Sequence, residues 1–186
     1  MLGKEQHGHM EKVGYDMYCK LLNEAVDELK GKKAKEVVEV NVDIAIDANA
    51  KDYIRDGESR MAFYQRLSAI SSQQDADELL DEIADVYGNP PPQVLNLIDI
   101  CLLKQKASAL GISEVTVRPD KVELCFFDVK HLHNAGVFDA LEKFKDITRL
   151  DVTHKLSVVF DCKNGNMSKV FDKVYEFVDC AYGKNS

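Results

Sequence analysis

Between residues 11 and 29 the apolar side chains Tyr18, Leu21, Leu22, Ala25, Val26 and Leu29 recur on one face of a helix. Gly31 supplies a C-cap, and Lys30, Lys32 and Lys33 complement the negative end of the helix dipole. The polar run Lys32 to Lys35 reads as a linker. From Glu36 to Ile46 the period changes to two. Val38, Val40, Val42, Ile44 and Ile46 point one way and Glu39, Asn41, Asp43 and Ala45 the other, the pattern of a half-buried strand.

Three helices follow the loop at 49–56. The first runs from about Glu58 to Ile70 with Asp56 as N-cap, its apolar face carrying Met61, Phe63, Tyr64, Leu67 and Ile70. The second runs from about Ala76 to Tyr87, with Asp75 and Glu78 as a capping box and Gly88 at its end. The third begins after Asn89-Pro90-Pro91-Pro92, since proline suits a helix entry, and ends near Leu110 with Gly111 at C′. Ile112–Arg118 and Lys121–Phe127 then read as a hairpin around Pro119-Asp120. His131–Phe144 reads as a helix, Thr148–Thr153 and Leu156–Phe160 as two strands, Asn164-Gly165 as a turn and Met167–Tyr182 as a final helix. Strict β/α alternation is missing. The expectation is therefore an α+β fold, an antiparallel or mixed sheet packed with several helices and preceded by an N-terminal amphipathic helix.

Composition changes this picture at one place. The net charge of the 186 residues is −8, but it is unevenly spread. Residues 1–35 and 101–186 are each at +1, whereas residues 36–100 hold four basic and fourteen acidic side chains, a net of −10. Such a balance disfavours nucleic-acid binding, which depends on Lys and Arg neutralising phosphates. No run approaches a membrane span, and no apolar stretch follows the first residues as in a signal peptide. The five cysteines, at 19, 101, 125, 162 and 180, form no C-x-x-C and read as reduced thiols of a cytoplasmic protein.

Few residues suggest catalysis. Gly3 and Gly8 have P-loop spacing, but His9 and Met10 stand where the phosphate-binding Lys and the magnesium-binding Ser/Thr belong, which excludes ATP binding there. His7/His9 and His131/His133 are pairs, whereas a metal site needs three or four ligands. No metal and no cofactor is expected. A thiol hydrolase using Cys125 with His131 or His133 is a remote alternative that needs a shared cleft.

The acidity concentrates on one predicted helix. Asp75, Asp77, Glu78, Asp81, Glu82 and Asp85 lie within eleven residues with no Lys or Arg among them. Leu79, Leu80, Ile83 and Val86 are read as its inward face, while Glu78, Asp81, Glu82 and Asp85 share one outward stripe. Like charges at this spacing repel by a few tenths of a kcal/mol per pair, a cost that a basic partner would turn into attraction. An independent adaptor domain binding another protein through this face is one reading; a solvated helix face is the other.

The opening, Leu2-Gly3-Lys4-Glu5-Gln6-His7-Gly8-His9-Met10-Glu11 with Gly14-Tyr15-Asp16-Met17-Tyr18, resembles the end of the translocase module in bacterial transcription-repair coupling factors. Tyr53-Ile54, Arg60, Phe63-Tyr64-Gln65-Arg66-Leu67, the acidic helix ending in Tyr87-Gly88, and Leu110-Gly111-Ile112 resemble the family's C-terminal regulatory domain. Arg55 departs from the family, which often has proline there. The resemblance implies a division into residues 1–33, the last helix of the motor and a linker, and residues 34–186, a regulatory clamp domain. It implies that ATP and magnesium belong to the full-length translocase, and that the chain itself is not an enzyme. It further implies that the clamp docks within the molecule on a UvrB-like module and hides the surface that recruits UvrA. Glu82 and Asp85, supported by Glu78 and Asp81, then contact basic residues of that module. Without the motor, the face of residues 11–29 is expected to give weak self-association.

Overall fold

The computed structural model describes residues 39–132, 135–162 and 165–183. The helix read at 11–29, the linker, the boundary between 33 and 34, and His7, His9 and His133 lie outside them. No described helix is long and apolar enough to cross a membrane.

A mixed five-stranded sheet, in the order β1-β2-β3-β5-β4, is combined with six helices in the α+β arrangement that the element order implied. The first strand, β1 (Asn41–Ile44), runs parallel to β2 (Ile112–Val117). Three helices lie between them in the chain: α1 (Gly57–Ser68), α2 (Gln73–Tyr87) and α3 (Pro92–Ala109). The hairpin partner of β2 is β3 (Val122–Phe126), and the Arg118 and Lys121 backbones bond across the Pro119-Asp120 turn. After β3 come α4 (Val129–Leu132) and α5 (Ala135–Lys143), then β4 (Thr148–Asp151), β5 (Ser157–Phe160) and α6 (Met167–Tyr182). All contacts of β3, β4 and β5 in the sheet are antiparallel.

Several expectations need correction. Within the described part of the strand expected from Glu36 to Ile46, pairing covers Asn41–Ile44 and stops there because its partner β2 ends at Val117. Val40, Val42, Ile44 and Ile46 nevertheless pack on the core as the alternation required. The capping box of α2 is one turn earlier than expected. Ser72 is the N-cap and Asp75 sits at N3, bonding back to Ser72. This start adds Gln73 and Gln74, whose amides bond Asp77 and Glu78 one turn on. The helix expected over His131–Phe144 is described in two parts, α4 ending at Leu132 and α5 running over Ala135–Lys143, with residues 133 and 134 outside the described residues; α4 contacts β3 and α5 packs along α6.

Two clusters of buried side chains form, and α3 belongs to both. Val94, Ile98 and Leu102 pack with Phe63, Leu67, Leu79 and Ile83 of α1 and α2. Leu103, Ala107 and Leu110 pack against the sheet, α5 and α6. There Phe177 is fully buried, its ring edge-on to Phe144 and Phe160 at 5.8 and 5.4 Å. A fully buried side chain of this size contributes about 1.5–3 kcal/mol. Where α3 ends, Gly111 takes φ +71°, and a Cβ there would overlap the His131 ring. We expect Gly111→Ala to cost about 2–4 kcal/mol, read as a loss of roughly 5–10 °C in Tm.

The seam between α3 and α6 carries half-buried charge. Lys106 bonds Tyr175 and Asp179, while Asp99 is pushed above its ordinary pKa by burial and by the Asp172 carboxylate, with Lys106 opposing. An acid whose folded pKa is raised stabilises the fold in its neutral form. That contribution is complete below the unfolded pKa and is lost as pH rises through the folded value. Asp99→Asn should therefore raise Tm at pH 7 by roughly 1–3 °C, with the gain vanishing below about pH 4, where Asp99 is neutral in both states. Thermal melts of the two proteins across pH check this.

Candidate docking site

The stripe occupies the outer face of α2. Ala76, Leu79 and Ile83 are buried against α1 and α3, with Leu80 beside them, and this orientation leaves Glu78, Asp81, Glu82 and Asp85 all exposed. Two of the four already have partners. Glu78 accepts from the Gln74 amide at 2.9 Å, and Glu82 pairs with the Arg66 guanidinium of α1 at 2.6 Å. Among the described residues, no hydrogen bond or ion pair engages the carboxylate of Asp81 or Asp85.

Val86 does not face inward as its spacing suggested; it is 67% exposed. The place beyond Ile83 is taken by Tyr53, whose ring meets Tyr87 at 5.6 Å and whose hydroxyl donates toward the Ile83 and Gly88 carbonyls. Burial raises the Tyr53 pKa, and Tyr87 adds to it, so the phenol keeps the proton it donates. This clamp ties the loop at Tyr53 to the C-terminal end of α2. It leads into Gly88, whose φ of +83° with ψ of −171° is a conformation essentially confined to glycine.

The last turn of α2 contains Asp85 and no basic residue. A carboxylate there meets the negative end of the helix dipole, a local conflict that the fold of the described residues leaves unrelieved. Val86 follows Glu82 by one turn, so an exposed apolar side chain stands within the acidic stripe. The site thus combines two unengaged carboxylates, one carboxylate shared with Arg66 and an apolar neighbour. It suits a surface that presents cations around an apolar spot.

Among the described residues that carried the family resemblance, several hold this site in place. Ile54, Phe63 and Leu67 are buried in the same cluster as Leu79 and Ile83. Arg60 donates to the carbonyls of Ile54 at 3.0 Å and Arg55 at 3.2 Å, fixing the loop that contains Arg55. Sequence reasoning missed the Arg66–Glu82 pair. Its only signal is a basic residue in the last turn of α1.

Among the described residues, no hydrogen bond joins Cys125 and His131, and His7, His9 and His133 lie outside them. Burial, followed by Glu123 and Glu114, pushes the Cys125 thiol up to about 11, so it stays protonated near neutral pH. His131 instead binds Asp128 through its Nδ1 at 2.8 Å. No group of three or more His, Cys, Asp or Glu among the described residues could hold a metal ion. The face of the sheet around Cys125 is occupied by internal ion pairs: Lys155 with Glu114, Lys121 with Glu123, and Arg118 with Asp43.

Comparison with known proteins agrees with this construction. The TRCF domain family matches residues 40–137, the span from β1 into α5. The transcription-repair-coupling factor of Bacillus subtilis is 31% identical over 163 residues, 87% of this chain and 12% of the relative. That of Escherichia coli is 29% identical over 167 residues, 87% of this chain and 14% of the relative. This chain therefore spans only the 12–14% of those relatives' length that it matches. A crystal structure of the C-terminal domain of a transcription-repair coupling factor has the same fold, with a TM-score of 0.68 at 20% identity, covering 80% of this chain and 96% of the other. The chain belongs to the TRCF domain family, found at the C-terminus of transcription-repair coupling factors.

Proposed function

We propose that this domain is a regulatory clamp of a transcription-repair coupling factor. In this reading it docks through α2 on basic residues of the UvrB-like module, masks the surface that recruits UvrA, and restrains the ATP-dependent DNA translocase in transcription-coupled nucleotide excision repair. Glu78, Asp81, Glu82 and Asp85 are the docking residues. Asp81 and Asp85 carry the attraction, since Glu82 is shared with Arg66. The observation that supports the reading most is the unrelieved carboxylate pair at the end of a helix that lacks basic residues in its last turn.

A polar contact of this kind suits a clamp that must open. Interfaces between domains of one chain are more polar than obligate ones, and a charge pair at a rim is worth about 0.2–1 kcal/mol. Docking shifts the open–closed balance only by its differential contacts, so a handful of such pairs gives a reversible restraint.

The test uses the full-length coupling factor that contains this domain. Asp81→Lys with Asp85→Lys should weaken docking by roughly tenfold or more, since reversal turns two attractions of about 0.5 kcal/mol into repulsions of similar size, and should increase UvrA capture. Arg66→Ala, which frees Glu82, should act in the opposite direction and reduce UvrA capture. Unchanged UvrA affinity and basal ATPase in both proteins would leave the stripe a solvated helix face and overturn the proposal.

A further inference from the structure

The outer edge of β4, which pairs with no further strand among the described residues, has a second, unrelated complementarity. Asp161 donates its N–H to the Ile147 carbonyl, at 2.8 Å, which sets the alternation of the β4–β5 ladder. Arg149 and Asp151 therefore turn their backbone groups toward β5, while those of Leu150 and the Val152 N–H turn away from the sheet. The side chains of Leu150 and Val152 are 43% and 70% exposed. An edge with outward N–H and C=O groups and apolar side chains is a template for another strand. The other edge strand, β1, has no large apolar side chain among those left exposed.

We propose that β4 pairs with β4 of a second copy of this chain, antiparallel across a two-fold axis at Leu150, joining the two sheets edge to edge into one. The sequence of the edge selects this partner and this register. Centred on Leu150, Arg149 of one copy lies directly opposite Asp151 of the other, twice over. These are close, non-hydrogen-bonded pairs whose side chains share a face. Leu150 meets Leu150 on the opposite face, and Val152 meets Thr148. The two outward backbone groups of Leu150 bond their counterparts, and the Val152 N–H bonds the Thr148 carbonyl. The neighbouring two-fold registers fail: centring on Arg149 opposes two guanidinium groups, and centring on Asp151 opposes two carboxylates. Like charges in directly opposed positions are destabilising. The Asp151 Oδ1 already accepts the Thr153 N–H, which holds the carboxylate in place at the end of the strand. This contact is separate from the self-association expected of residues 11–29, because it depends on the charges of β4.

Sedimentation of the full chain over a concentration series tests the proposal. The wild type should show a concentration-dependent dimer. Arg149→Asp and Asp151→Arg should each weaken self-association at least tenfold relative to the wild type, because each opposes like charges. Mixed one to one, they should form a heterodimer, since positions 149 and 151 are then both acidic on one chain and both basic on the other. Leu150→Lys should abolish pairing in either background. Far-UV circular dichroism confirms that each variant is folded. A monomeric wild type, a single-charge variant that associates as tightly as the wild type, or a mixture that associates no more tightly than either variant alone would each overturn the proposal.

Discussion

The fold depends on one helix serving two cores. Over the ~27 Å length of α3, at 1.5 Å per residue, the buried face passes from Val94, Ile98 and Leu102, which hold α1 and α2, to Leu103, Ala107 and Leu110, which hold the sheet and α6. Its prolines fix where it starts and Gly111 where it stops. Between those points the helix transmits the position of the sheet to the three-helix layer. Tyr175 of α6 touches both clusters and reaches Lys106, so the junction is also braced from the side. The direction of the acidic stripe follows from this. The buried row on α2 is keyed to α1 and α3, and the carboxylates are left on the far side.

The two charged regions of the molecule are built differently. On the sheet, each described acid of the central strands has a cation across or along the strand. Burial alone would raise the pKa of Glu123, yet bonds from Lys121 and Ser157 hold it below the usual carboxylate value. Such a face is electrostatically complete. On α2 the carboxylates outnumber the cations in reach, and Arg66 answers only Glu82. A helix that tolerates repulsion along its stripe and a carboxylate at its negative end is stabilised elsewhere, through Leu79, Ile83 and the Tyr53 clamp. That surplus stability lets the outer face be shaped by a partner rather than by folding.

Local chemistry was readable in the sequence where one residue decides it. Asp56 caps α1, Pro119-Asp120 turns the hairpin and Gly111 ends α3, each through side-chain or φ preferences that need no tertiary information. Where two local solutions compete, the sequence did not decide. Ser72 with Asp75 and Asp75 with Glu78 both satisfy a capping pattern, and the earlier one wins by adding a turn. Long-range choices were not readable at all. The place of Val86 was given to Tyr53, a residue far back along the chain, and the charge of Glu82 was claimed by Arg66 on another helix. The four stripe residues were legible because helical spacing alone puts them on one side. Which of them remain unengaged required the packing.

The most direct measurement of the central claim is a titration of the isotope-labelled domain with the UvrB-like module, followed by amide chemical shifts. The docking account predicts perturbations centred on Asp81–Val86 and on Arg66, collapsing as salt is raised through the range where exposed charges are screened. Perturbations centred on the ion-paired face of the sheet, or none near α2, would contradict it.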